Sequence, residues 1–182
     1  MPMKGELDIV ADVTERLERA SIPFMLTGSM AMNYYAVPRM TRDIDIVIDL
    51  ALTAADRFAA AFSPDYLASA DVVREAISHE SMFNLIHIES VIKIDFVIRK
   101  ASDYRRAEFD RRRRIKISGF ETWIVSLEDL ILSKLVWARD SRSQLQLGDV
   151  TNLLLVKPDE EYLRRWADEL RVNELLEECR SE

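Results

Sequence analysis

Apolar positions along the chain alternate between two spacings, and the switches mark its elements. Over residues 6–20, Leu7, Val10, Val13 and Leu17 recur on one helical face, and Ser21-Ile22-Pro23 ends that helix. Residues 24–26 form a short apolar strand that runs into Thr27-Gly28-Ser29. A helix is expected from there to about residue 35, where Val37-Pro38 breaks it. Residues 44–48 alternate strictly and predict a strand. Helical spacing returns at 53–62 and 69–78. Two strands, 83–88 and 91–98, are joined by a tight turn at Glu89-Ser90, so they pair antiparallel. A helix at 104–111 and strands at 114–117 and 121–125 follow. From Leu127 onward every segment reads as helix: 127–138, 149–156, and 159–179 with a break near Val172.

This order predicts an α/β chain of the α+β kind, with a mixed sheet flanked by helices and an all-helical C-terminal extension. Residues 1–125 are expected to form the core. Residues 126–182, too few for a large core of their own, are expected to pack on it and complete its cleft. There is no internal repeat.

Composition narrows the class. With 48% apolar and 31% charged residues in 182, a buried core is expected rather than disorder. One cysteine, Cys179, excludes an internal disulfide and a Cys-rich zinc site. No apolar run approaches the roughly 20 residues of a membrane span, and the start lacks a secretory pattern, so a cytoplasmic location and no membrane partner are expected. The net charge of -7 is uneven. Residues 99–116 hold nine basic and three acidic side chains, whereas residues 158–182 hold nine acidic and four basic. The chain as a whole is no general nucleic-acid binder, yet it carries a basic island.

The chemistry centres on Asp43-Ile44-Asp45-Ile46-Val47-Ile48. Alternation puts the isoleucines on one face and Asp43 with Asp45 on the other. The run Val91-Ile92-Lys93-Ile94-Asp95-Phe96-Val97-Ile98 repeats the device, with Asp95 opposite the apolar face. The matching apolar faces predict that the two strands are antiparallel neighbours; three carboxylates then converge, a donor set suited to Mg²⁺ and, with two ions, to activating a hydroxyl and stabilising a pyrophosphate. Asp-Ile-Asp alone fits a half-exposed sheet equally well. Gly28-Ser29, between a strand and a helix, adds a place where backbone amides and a hydroxyl can approach a phosphate, although Gly-Ser also serves as a simple turn and cap. Arg39 and Thr41 lead into the aspartates; Arg39 or Arg42 can offset negative charge there or lie solvated at the surface.

The set Gly28-Ser29, Arg39-x-Thr41-x-Asp43-x-Asp45 and a later Asp95 resembles the polymerase-β-like nucleotidyltransferase superfamily. The resemblance implies a nucleotidyltransferase fold and a Mg²⁺-dependent enzyme, with two ions held by Asp43, Asp45 and Asp95. It also implies a nucleoside triphosphate (NTP) bound through Gly28, Ser29, Arg39 and Thr41. The acceptor is a hydroxyl on an RNA end, a protein or a small molecule such as an antibiotic. A catalytically silent interaction protein is the rival from another class, and a full set of clustered charges speaks against it.

The run 126–135, with Arg142 and Asp149 beyond it, is similar to the AbiEii-type branch, which includes type IV toxin–antitoxin proteins; this chain is shorter than such toxins usually are. That similarity implies active-site roles for Lys134 and Asp149 and an antitoxin partner. Read from the residues alone, Lys134 lies beside the stripe of Leu127, Leu130, Ile131 and Leu135, where it either snorkels from a core helix or reaches the nucleotide cleft, balanced there by Asp43, Asp45 or Asp95. Asp149 is equally an N-cap. The island Arg105, Arg106 and Arg111 to Arg114 is either a charged sheet edge or a phosphate-tracking patch for an RNA acceptor.

Overall fold

A computed structural model describes residues 5–38 and 43–181. Helix α1 (Glu6–Arg19) leads into β1 (Phe24–Thr27), α2 (Gly28–Tyr35) and β2 (Ile44–Ile48). A short 3₁₀ turn and α3 (Ala55–Phe62) precede the two-residue strand β3 (Tyr66–Leu67) and α4 (Ala70–Ser78). The hairpin of β4 (Met82–His87) and β5 (Lys93–Ile98) follows, then α5 (Asp103–Asp110) and the hairpin of β6 (Arg113–Ile117) and β7 (Phe120–Ile124). Four helices end the chain: α6 (Leu127–Ser141), α7 (Gln144–Leu154), α8 (Glu160–Glu169) and α9 (Asn173–Ser181). Among the described residues no helix is long and apolar enough to cross a membrane.

The strands form one mixed sheet in the order β3-β4-β5-β2-β1-β7-β6. β4 and β5 pair antiparallel, as their short connection requires. β2 and β5 are neighbours but run parallel, whereas the expectation drawn from their matching faces was an antiparallel pair. The reason lies in the connection: the crossover through α3 brings the chain to β3 in the direction of β2, β4 runs opposite to β3, and β5 runs opposite to β4, so β5 enters beside β2 in the same direction. β3 was not foreseen, because two residues carry no periodicity.

Alternation holds on β2 and β5. Ile44, Ile46, Ile48, Ile94, Phe96 and Ile98 are all buried. On that face the Phe96 ring meets Phe58 and Phe62 of α3 edge-on, at 5.3 and 5.8 Å, and stacks on Phe83 of β4 at 5.3 Å. This aromatic layer seals the apolar face and leaves the other for chemistry. α1 is fixed by Ile9, Val13 and Leu17 and by a buried hydroxyl pair, Thr14 with Thr122 of β7 at 2.8 Å.

Helix α6 is anchored at its first turn. Ser126 caps it by accepting from the Asp129 amide. The wholly buried Asp129 carboxylate accepts from Ser126 Oγ at 2.6 Å, from Tyr162 Oη of α8 at 2.8 Å and from Arg111 Nε at 3.2 Å. Burial pushes its pKa up, and these donors oppose the shift. One carboxylate therefore ties α5, α6 and α8 together.

Helix α7 begins at Gln144, capped by Ser143, and not at residue 149. Asp149 is consequently no N-cap. It lies mid-helix and is 4% exposed.

Candidate active site

The site grows from a cross-strand row. Thr27 of β1 is in register with Asp45 of β2, Asp45 with Asp95 of β5, and Asp95 with Asn84 of β4. Residues in register share a face, so one polar line crosses four strands on the side opposite the aromatic layer. Neighbouring strands lie about 5 Å apart, which puts Asp45 and Asp95 side by side. Asp43, one residue before β2, faces the same way.

Gly28 follows Thr27 and opens α2 beside this row. Its φ of +59° is in the left-handed region. A Cβ added there would come within 2.1 Å of Asp45 Oδ2, so a side chain at this position and the present Asp45 carboxylate exclude each other. Ser29 and the amides of α2's first turn start at the same level.

Two lysines serve the row. Lys93 Nζ contacts Asp95 Oδ2 at 2.7 Å. That hydrogen bond raises the Lys93 pKa; desolvation opposes it, and the charges of Asp95, Asp43 and Asp45 add to the rise. Lys134 Nζ donates to Asp149 Oδ2 at 2.7 Å and to Gln146 Oε1 at 3.0 Å, and the ion pair is almost fully buried. Direct balance of Lys134 by Asp43, Asp45 or Asp95 is therefore corrected: its partner is Asp149, across the α6–α7 contact. Its field still reaches the row. The Asp45 pKa is raised by burial first, then by Asp95 and Asp43, while Lys134 and Lys93 pull it back.

Asp95 Oδ1 is buried and accepts no hydrogen bond. A buried acceptor in that state costs roughly 1–3 kcal/mol. Together with the raised Asp45 pKa it marks surplus negative charge, and hard oxygen donors with surplus charge fit a hard divalent cation. Among the described residues no three His, Cys, Asp or Glu side chains are drawn together as a closed metal cage. Mutually repelling carboxylates do not close on one another unaided.

The structure thus brings Gly28, Ser29, Asp43, Asp45 and Asp95 to one edge of the sheet, with Lys134 within electrostatic reach and Asp149 behind it. Arg39 and Thr41 lie outside the described residues. The arginine island stays at the surface, with Arg106, Arg111, Arg113 and Arg114 exposed and Arg105 and Arg112 half-buried, but several of its members are engaged within the chain. Arg105 donates to Glu108 at 2.8 Å and to Ser133 at 2.7 Å. Arg111 pairs with Glu128 and Asp129 and lies 3.7 Å from the Tyr162 ring centroid. Arg112 sits between Phe109 and Trp123, and Arg114 pairs with Glu121 and Glu18.

Sequence reasoning passed over Lys93 and Gln146. Lys93 was legible, since it is two residues from Asp95 on an alternating strand and so must share its face. Gln146 was hidden by the late start assigned to α7.

Residues 15–146 match the profile of a family described as nucleotidyl transferase AbiEii toxin, type IV TA system. No curated protein sequence matches the chain. Several solved structures share its fold. The antibiotic-resistance factor ANT(2'')-Ia superposes with a TM-score of 0.59 at 11% identity, over 97% of this chain and 91% of that one. An antigenic nucleotidyltransferase-like protein from Paracoccidioides brasiliensis gives 0.59 at 16% identity, over 98% and 94%. A nucleotidyltransferase-type protein from Thermotoga maritima gives 0.54 at 19%, over 90% and 92%. At these identities the likeness is one of fold.

Proposed function

Because this chain belongs to the AbiEii nucleotidyl transferase family, we propose that it moves a nucleoside monophosphate from an NTP to an acceptor hydroxyl at the Asp45–Asp95 row. The observation that carries the reading is the pairing of a side-chain-free Gly28 against Asp45 with the unpartnered Asp95 oxygen beside it. Asp43, Asp45 and Asp95 would hold Mg²⁺, in two ions. Bound there, Mg²⁺ supplies charge neutralisation for the triphosphate and the departing pyrophosphate.

The chain's own groups do the rest. Gly28 lets phosphate oxygens approach the backbone, and the first amides of α2 with the Ser29 hydroxyl donate to them. Arg39 and Thr41 are assigned to the triphosphate on the sequence pattern. Lys134, held by Asp149 and Gln146, keeps a positive field on Asp45 and on the incoming phosphates. The acceptor oxygen bonds to the α-phosphorus as the bond to pyrophosphate breaks, and its proton passes to an ionised carboxylate of the row. On this reading residues 1–125 form the catalytic core and residues 126–182 complete the cleft. An intracellular site of action accompanies an NTP substrate.

The family description supports a toxin with a cognate antitoxin; an RNA end as acceptor is assigned on the basic island of Arg105, Arg106 and Arg111 to Arg114. A small hydroxylated acceptor is the second reading. It is favoured by the engagement of Arg105, Arg111 and Arg114 with carboxylates of the same chain and of Arg112 with the Phe109 and Trp123 rings, which leaves less of the exposed island for tracking phosphates. ANT(2'')-Ia, solved in complex with adenylyl-2''-tobramycin, shares the fold. Incubation with each α-³²P-labelled NTP and Mg²⁺, against total RNA or a panel of aminoglycosides and lincosamides, separates the two. Labelled RNA ends support the first reading, and labelled small molecules support the second. No labelling of either class, with an intact fold, refutes the assignment.

A further inference from the structure

The two lysines at the row differ in what holds them. Lys134 is fixed by two acceptors on α7, and the ion pair is 5% exposed on both sides. Lys93 has a side chain 45% exposed and reaches back along its own strand to Asp95, whose side chain is 9% exposed. Residues two apart on a strand are separated by about 7 Å along its axis, so only a long, flexible stem lets the ammonium meet that carboxylate. The contact engages Asp95 Oδ2 alone and leaves Oδ1 buried without a partner.

We propose that Lys93 is the exchangeable counter-ion of the carboxylate row: it occupies Asp95 Oδ2 in the nucleotide-free protein and must yield that oxygen when a divalent cation binds. The inference rests on the reading that Asp43, Asp45 and Asp95 hold such a cation. It makes Lys93 a positioning residue that competes with the metal. Lys134 cannot play this part, because leaving Asp149 would strand two buried charges. Lys93, half exposed itself, passes from the contact into water at little cost, and the arriving cation takes over the buried Asp95 carboxylate that it leaves.

The test is Mn²⁺ binding to the nucleotide-free protein, followed by electron paramagnetic resonance titration at fixed pH and ionic strength. Thermal melts confirm that each variant is folded. Lys93→Gln should bind Mn²⁺ more tightly than the unmodified chain, by about fivefold if the pair is near the upper end for a partly exposed ion pair. Lys93→Arg should bind it no better than the unmodified chain, because a guanidinium fork grips a carboxylate at least as well. Asp95→Asn should lose most Mn²⁺ binding. If Lys93→Gln binds Mn²⁺ equally or more weakly while Asp95→Asn loses it, the counter-ion role is wrong and the three-aspartate site stands. If neither the unmodified chain nor Lys93→Gln binds Mn²⁺, the cation site itself fails, and the counter-ion role goes with it.

Discussion

Lys134–Asp149 and Lys93–Asp95 have the same nitrogen–oxygen separation, 2.7 Å, at the same carboxylate row. Their surroundings differ. The first pair joins two helices, is buried on both sides and has a third member in Gln146. The second joins neighbours on one strand and leaves its lysine half in water. Distance alone ranks them equal. Solvent and connectivity do not, because a buried charge deprived of its partner is stranded, whereas an exposed one is rehydrated. The first pair is architecture that also projects a field. The second is held loosely enough to change partners.

The largest expected effect falls on the row that both pairs serve. Asp45→Ala or Asp43→Ala should cut transfer by at least roughly 10²–10³-fold, the scale for losing one charge-stabilising group, with the fold intact by circular dichroism. Near-normal turnover in either variant would remove the row from the chemistry and leave the two pairs with nothing to compare. Next comes Asp149→Ala, which strands Lys134 and should destabilise the protein by about 3–5 kcal/mol in denaturant titration. The double variant Lys134→Met/Asp149→Leu should recover most of that loss while remaining poor in NTP turnover. A loss under about 1 kcal/mol for Asp149→Ala would erase the contrast between the pairs.

A smaller effect has the opposite sign. The Asp45 pKa is raised in the fold by burial and by Asp95 and Asp43, so ionising it opposes folding. Protonated below its ordinary pKa, it carries no such penalty. The penalty grows as pH rises from the ordinary pKa to the raised value, because in that window the native state holds a proton that the unfolded state has lost, and it is complete above the raised value. In EDTA, Asp45→Asn should therefore melt a few degrees higher than the unmodified chain at neutral pH, and the gain should vanish towards pH 3. A gain independent of pH would point to packing instead. The smallest effect is that of Lys93→Gln on stability without cation, under about 1 kcal/mol in the same titration.

How much of this was legible in the sequence depends on the physics involved. The carboxylate row was, because alternation assigns faces and Asp43, Asp45 and Asp95 follow it without exception. The direction of β5 beside β2 was not, since a period of two reads the same both ways and only the intervening elements decide. The start of α7 was legible in principle: Ser143-x-x-Gln146 is a capping-box spacing, and the Ser143 side chain does accept from the Gln146 amide. Gly148 within the helix obscured it. The fate of the arginines was out of reach. Glu128, Asp129 and Tyr162, which engage Arg111, come from two other helices, and a local charge count cannot register partners that only folding supplies. The same clamp draws on the last third of the chain, where α8 delivers Tyr162 to Asp129.

Since a single methyl at Gly28 would overlap the Asp45 carboxylate where it now lies, alanine at this place forces that carboxylate to move and strains a left-handed backbone. The bareness of one residue thus sets where its neighbour's charge can rest.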